Sequence, residues 1–351
     1  MKNYQIFKKP AAVIAALAVI FCVCGCDGKT SDDTSSQAPL TPSQKYIETL
    51  SLNSKALPQF YASRFEEIDI ELYKETVDAF NRFETEAPAS TKNDLDTLFV
   101  LINEKFPQFY GDTDDVGYTY NSDKSGITWK YKEGTDQNSH HNMLVAFENS
   151  VKGLLNGILK ENTDSENAII ILKNLCDRFT PDYEAVTNPA ENQTDYNNSA
   201  YSALVNYTGT NSAFSKGYVY LLNLAGMEAY EVYDSHIIDD DPVYTYVLVN
   251  LDGDYYFVDT TLCRIEKTLK YFGLTAKETD NLGHEFANAY FGTPGKYAVK
   301  NYFKANNDRF AALRGGAKDY SLDLDSNTLY YLNAKGEKQQ LDLGAKQQSV
   351  K

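Results

Sequence analysis

The chain has 351 residues and a marked excess of acidic side chains. Asp and Glu number 49 against 33 Lys and Arg, which gives a formal net charge of −16 at pH 7. This charge argues against nucleic acid as a partner and against flat docking on anionic lipid, because both are themselves negatively charged. The length allows one or two domains. No set of residues has the spacing of a zinc site, so we expect no metal and no cofactor.

The first 26 residues are typical of a bacterial lipoprotein leader. Three lysines precede the apolar run 11–21, which is too short to span a bilayer stably. The run leads into Val23-Cys24-Gly25-Cys26, which resembles a lipobox, so Cys26 would carry the lipid. An ordinary signal peptide with an incidental cysteine, or an uncleaved anchor, is the alternative. We therefore predict a lipid-anchored protein of the bacterial cell membrane that faces outside the cytoplasm.

A polar segment follows the leader, and two segments with helical spacing come after it. Residues 26–43 are rich in Ser, Thr, Asp and Pro, which predicts a flexible tether. Beyond them, apolar side chains recur at helical spacing in two stretches, the second of which ends at Pro107. They are Ile70, Tyr73, Val77 and Phe80, followed by Leu95, Leu98, Phe99, Ile102 and Phe106. Alternating apolar residues on both sides of 121–126 then predict a β-hairpin.

The middle of the chain predicts an α+β core. Thr163 and Glu166 form a capping box that starts a helix with an apolar stripe. Residues 208–214 indicate a loop of small side chains, and the apolar residues after it indicate a helix that Gly226 caps. Three strands follow, over 228–233, 244–251 and 255–260, with Asp252-Gly253 as a hairpin turn. If Cys26 is acylated, Cys176 and Cys263 are the remaining thiols, and their pairing is not readable from the sequence.

Four motifs in this core carry a family resemblance. They are Ser215-Lys216-Gly217-Tyr218, Leu224-Ala225-Gly226-Met227, Leu251-Asp252-Gly253, and the strand with Asp259 followed by Thr260-Thr261. Together they resemble the core of transglutaminases, a branch of the papain-like superfamily. The resemblance covers most of the chain after the leader and implies a helix packed on an antiparallel sheet. Together with the leader and the tether, it leads us to divide the chain into a signal peptide 1–25, a tether 26–43, an N-terminal helical region with a hairpin 44–140, the transglutaminase-like core 141–310, and a C-terminal hairpin and tail 311–351.

The resemblance also locates a degenerate catalytic triad. Active members have Cys, His and Asp where this chain has Ser215, Tyr244 and Asp259. A Ser hydroxyl is un-ionised at neutral pH and needs a base, and a Tyr with a reference pKa of about 10 is a poor one. We therefore expect a pseudoenzyme in which Tyr244 and Asp259 lie within hydrogen-bonding distance. His236, at the end of the first core strand, is the candidate substitute base.

Each site residue also has a purely structural interpretation. Ser215 can be a helix N-cap or first-turn residue. Tyr218 and Tyr246 are candidates to line a peptide or glycan groove, but tyrosines also pack in half-buried strands. Asp259 can be an acceptor for nearby hydroxyls. His140 and the histidine after it are expected to form a solvated pair in a loop.

Three functions remain open from the sequence. The first is a catalytically inactive, surface-anchored lipoprotein whose cleft binds a peptide or another cell-envelope component. The second is a residual amide-bond hydrolase or transferase of the transglutaminase or cysteine-protease type. The third is a structural or assembly role with no ligand in the cleft, which a filled cleft would favour.

Overall fold

The computed structural model describes residues 39–52, 57–65, 70–87, 95–120, 125–184, 194, 196–234, 244–284, 289–292 and 297–344. The predicted signal peptide, Cys26, most of the predicted tether, and His236 lie outside the described residues, so those predictions stay predictions. The described residues from Leu40 onward form one compact unit. Within the described part of the chain, no helix combines the length and the apolar character that crossing a bilayer requires.

Short helices open the described chain, and the predicted helical spacing is confirmed. The elements are α1 (Pro42–Ile47), α2 (Gln59–Arg64), α3 (Ile70–Asn81), α4 (Leu95–Lys105) and a 3₁₀ turn over Pro107–Tyr110. The apolar face of α3 is buried, as its spacing requires. The predicted hairpin is also present, with β1 (Thr113–Tyr120) and β2 (Ser125–Tyr131) paired antiparallel and Tyr118 opposite Ile127.

Two longer helices, α5 (Gln137–Leu154) and α6 (Asp164–Arg178), come next. The Thr163–Glu166 capping box at the start of α6 is confirmed. The expected solvated loop at His140 is wrong. His140 lies in the first turn of α5, where its buried ring contacts Asp112 through Nδ1 at 2.8 Å. The rings of Phe80 and Phe83, which are distant from His140 in the sequence, also pack against this imidazole and shield it from water.

The core is an antiparallel sheet covered by a helix. A short parallel pair, β3 (Thr180–Pro181) and β4 (Thr208–Gly209), precedes α7 (Asn211–Leu224). The sheet contains β5 (Ala229–Asp234), β6 (Thr245–Leu251), β7 (Asp254–Val258), β8 (Ala289–Phe291) and β9 (Tyr297–Ala298) in the order β7-β6-β5-β8-β9. The α-helices that follow among the described residues are α8 (Thr260–Glu266), α9 (Ala276–Asn281) and α10 (Val299–Tyr302), and a 3₁₀ turn spans Ala311–Gly315. The predicted α+β class and the three central strands are confirmed.

The two faces of the sheet belong to two hydrophobic clusters. Val247 and Val249 on β6 pack in the cluster that contains α7. Tyr246 and Leu248, which point to the opposite face, pack in the cluster that contains α2, α3 and α4. Because both faces are buried, β6 is apolar at nearly every position.

The C-terminal segment forms its own three-stranded sheet. β11 (Thr328–Leu332) and β12 (Lys338–Asp342) make the hairpin that the sequence predicts around residues 334–336. A further strand, β10 (Lys318–Asp323), pairs with β11 on the other side, with a register shift between Lys318 and Ser321.

Candidate functional site

Ser215 lies inside α7 and not at its start. Thr210 caps the helix and Asn211 is its first residue, so Ser215 is on the second turn. The interpretation of Ser215 as an N-cap or first-turn residue is therefore wrong, as is the predicted loop over 208–214. The helix begins earlier because the Thr210 hydroxyl accepts the N–H of Ala213 and so caps the first turn.

The Ser215 side chain is sealed from solvent, with an exposed fraction of 0%. Its Oγ lies 3.4 Å from the backbone oxygen of Thr245 and 3.4 Å from Oγ1 of Thr260. A carbonyl oxygen and a neutral hydroxyl are weak acceptors that cannot remove a proton at neutral pH. These contacts therefore hold the hydroxyl in place and do not activate it as a nucleophile.

Tyr244 and Asp259 meet where two neighbouring strands place them. Tyr244 immediately precedes β6 and Asp259 immediately follows β7, and the register of the two strands pairs Val247 with Val258. The Tyr244 hydroxyl lies 2.9 Å from Oδ1 and 2.8 Å from Oδ2 of Asp259. The predicted hydrogen bond between them is thus confirmed.

Asp259 is also the N-cap of α8. Its Oδ1 accepts the backbone N–H of Leu262 at 2.8 Å, and its side chain is 1% exposed. Burial and then the neighbouring Asp259 carboxylate raise the pKa of Tyr244 far above its usual value. Tyr244 therefore remains protonated and acts as a hydrogen-bond donor, which excludes it as a general base.

A histidine that the sequence interpretation did not select also reaches Asp259. Nε2 of His284 lies 3.3 Å from Oδ2 of Asp259. The imidazole stacks on the rings of Tyr244 and Tyr246, with centroid separations of 4.9 Å in both cases. His284 lies in none of the four core motifs, so its signal in the sequence was weak. No local spacing links it to Asp259.

The structure does not place Tyr218 and Tyr246 on a groove, which corrects their assignment as binding residues. Both side chains are buried. The Tyr218 hydroxyl donates to the backbone oxygen of Ala168 at 2.9 Å, and the Tyr246 ring packs on Phe257. Tyr218 is enclosed by α6 and Tyr246 by the N-terminal helices, so neither ring faces solvent.

Comparison with known proteins leaves the family unassigned. No protein-family model and no curated protein matches the chain. A solved structure described as a TGase is 13% identical, with a TM-score of 0.29 over 42% of this chain and 44% of that one. Another, described as a candidate protease from Parabacteroides distasonis, is 14% identical, with a TM-score of 0.22 over 41% of this chain and 35% of that one. The chain spans less than half the length of either structure.

Among the described residues, the side chains and backbone groups around Asp259 form one hydrogen-bonded cluster. It joins the start of β6, the end of β7, the start of α8 and the residue His284 after α9 through one carboxylate. Ser215 lies beside this cluster, on α7, with contacts to Thr245 and Thr260. The arrangement is suited to fixing the relative positions of these elements.

Proposed function

We propose that this protein is a catalytically inactive, lipid-anchored protein of the bacterial cell envelope, with a transglutaminase-like core. In this proposal the residues at the triad positions hold the core together, and the protein acts by non-covalent association. The leader, the lipobox-like motif and the four core motifs support the anchor and the core. The burial of Tyr218 and Tyr246 favours a filled cleft over a peptide groove at that position.

One observation carries the proposal of inactivity. The hydroxyl of Ser215, at the position of the nucleophile, is fully buried, and its hydrogen-bond partners among the described residues are a carbonyl oxygen and a threonine hydroxyl. A serine nucleophile needs a base within hydrogen-bonding distance and access for the substrate. Tyr244, at the position of the base, instead donates a hydrogen bond from its hydroxyl to Asp259.

We expect the full chain to show no turnover that depends on Ser215. The assays are amine incorporation into a glutamine peptide and hydrolysis of peptide substrates, with the wild type compared with Ser215→Ala and His284→Ala. All three should match the background rate, whereas removing a true catalytic serine lowers kcat on the order of 10⁶-fold. A rate that falls in Ser215→Ala would contradict the proposal and favour the residual hydrolase.

A double variant tests the role of burial in the same assays. Ser215→Cys/Tyr244→His restores the thiol and the imidazole of the active family. We expect it to stay inactive, because the substrate cannot reach a side chain that is 0% exposed. Turnover by the double variant would mean that the site opens in solution.

The anchor has a separate test. We expect the wild type, expressed in a bacterial host, to incorporate labelled palmitate and to sediment with membranes, and Cys26→Ser to lose both properties. The reason is that each buried methylene of an acyl chain contributes about 0.8 kcal/mol to membrane binding. Cys24→Ser is the matched control and should keep the label. Labelling of Cys26→Ser equal to that of the wild type would exclude Cys26 as the lipidated residue.

A further inference from the structure

A cavity of about 290 Å³ lies between α6, α8 and β10. It shares no residue with the cluster around Asp259, and it does not depend on the proposed function. Its volume is close to the lower end of the range for small-molecule pockets. Lys173 and Asp177 from α6, Lys267 after α8, and Asp319 on β10 are exposed at its mouth, so the cavity is accessible from solvent.

The charged groups of this pocket divide into a paired set and a set without partners. Nζ of Lys173 lies 2.6 Å from Oδ2 of Asp177, so these two charges neutralise each other. Among the described residues, Arg264 donates through Nε alone, to the backbone oxygen of Phe179 at 2.7 Å. That bond fixes the guanidinium and leaves both of its terminal nitrogens available as donors.

Two further charges lack a partner among the described residues. The Lys267 ammonium and the Asp319 carboxylate make no hydrogen bond and no ion pair there. Both residues have left-handed backbone conformations, with φ of 51° and 48° respectively. Such conformations are costly outside glycine and persist only where the surrounding structure imposes them. Lys267 terminates α8, and Asp319 lies in the register shift of β10, so the ends of two elements present opposite charges to one cavity.

The remaining lining groups are neutral. Burial raises the pKa of the Cys176 thiol to about 12. Burial likewise raises the pKa of Cys263 and of Tyr320 well above their usual values. The thiols therefore add weak donors, and the phenol adds an ordinary donor, all without charge at neutral pH. The unpaired charge of the pocket is then two cations and one carboxylate.

We propose that this pocket binds a small zwitterion, of amino-acid or dipeptide size, with its carboxylate on Arg264 and Lys267 and its ammonium on Asp319. A fixed guanidinium fork matches a carboxylate through two parallel hydrogen bonds, and Lys267 adds a second positive charge. The lone carboxylate of Asp319 complements the opposite end of the ligand. A simple anion would leave Asp319 without a partner and would add a second negative charge to the same cavity.

The test is calorimetric titration of the full chain in detergent with alanyl-alanine. Alanyl-alanine amide lacks the carboxylate and N-acetyl-alanyl-alanine lacks the ammonium. We expect each to bind about tenfold more weakly or worse, because each lacks one of the two charge-assisted hydrogen-bonding ends of the dipeptide. Arg264→Gln and Asp319→Asn should each weaken the binding of alanyl-alanine to a similar extent. Lys277→Gln, at an exposed lysine on α9, is the matched control and should bind like the wild type.

Several results would overturn the proposal. These are no binding of alanyl-alanine to the wild type, equal binding of the dipeptide and its amide, or unchanged binding by both Arg264→Gln and Asp319→Asn. Binding of inorganic phosphate without binding of the dipeptide would assign the pocket to a simple anion. If Arg264→Gln fails to fold because its contact with Phe179 is lost, the three peptide ligands on the wild type still decide the question.

Discussion

Asp259→Ala is expected to lower the free energy of unfolding by about 4 kcal/mol, as the sum of a lost charged hydrogen bond and a lost helix cap. The substitution removes the acceptor of the Tyr244 hydroxyl and of the Leu262 N–H. Because Asp259 is 1% exposed, water cannot easily take the place of the carboxylate. The measurement is a urea titration followed by circular dichroism.

Two milder substitutions separate the roles of this carboxylate. Asp259→Asn keeps an oxygen that can cap α8 and should lose less stability than Asp259→Ala. Tyr244→Phe removes one donor but leaves the cap, and should cost about 1.5 kcal/mol. Combining Tyr244→Phe with Asp259→Ala should cost less than the sum of the two single changes, because they share one interaction. A cost of Asp259→Ala below that of Tyr244→Phe would refute the central role of Asp259.

The second large predicted effect is a pH dependence of stability that comes from the buried carboxyl group of Glu104. This residue lies on α4 with an exposed fraction of 1%, and its Oε2 accepts the Tyr61 hydroxyl at 2.5 Å. Tyr61 in turn accepts a bond from Nδ2 of Asn223 on α7. Burial is the main cause that raises the pKa of Glu104 from 4.5 to about 7, and the nearby Glu231 carboxylate adds to it. The folded protein therefore holds this proton to a higher pH than the unfolded chain does.

The sign of the pH effect follows from that difference. Between pH 4.5 and pH 7 the folded state binds more protons at Glu104 than the unfolded state, so its contribution to stability is lost as the pH rises. Glu104→Gln removes this contribution and keeps an acceptor for Tyr61. The stability of the wild type relative to Glu104→Gln should therefore fall by about 2.5 kcal/mol from pH 5 to pH 8.

Urea titrations at a series of pH values measure this difference directly. Glu133→Gln, at an exposed glutamate before α5, is the matched control and should differ from the wild type by less than about 0.5 kcal/mol at every pH. A difference between the wild type and Glu104→Gln that does not change with pH would show that Glu104 titrates alike in the folded and unfolded states.

The local pattern predicted those features that depend on neighbours in sequence. Helical spacing in α3, the capping box at Thr163 and the Asp252-Gly253 turn each require only a few adjacent residues. The bond from Tyr244 to Asp259 was also predictable, because a tight hairpin fixes the register of the two strands that carry them. These are local constraints, and backbone geometry converts them directly into structure.

The start of α7 was misjudged for an equally physical reason. The small residues before Ser215 have no strong helical pattern of their own, and the Thr210 cap and packing on the sheet make them helical. Tertiary contacts commonly override such weak propensities. The outcome matters for function, because it moves Ser215 from the start of a helix to a buried second turn.

The sequence by itself determined the α+β class and the central strands. Only the tertiary structure decided that Ser215 is sealed, that His284 reaches Asp259 across 25 positions of chain, and that Arg264 and Asp319 face one cavity. Strand and helix patterns have short periods, whereas contacts between distant segments depend on how whole elements pack. The chemistry of a site depends on contacts between distant segments, which short-period patterns do not reveal.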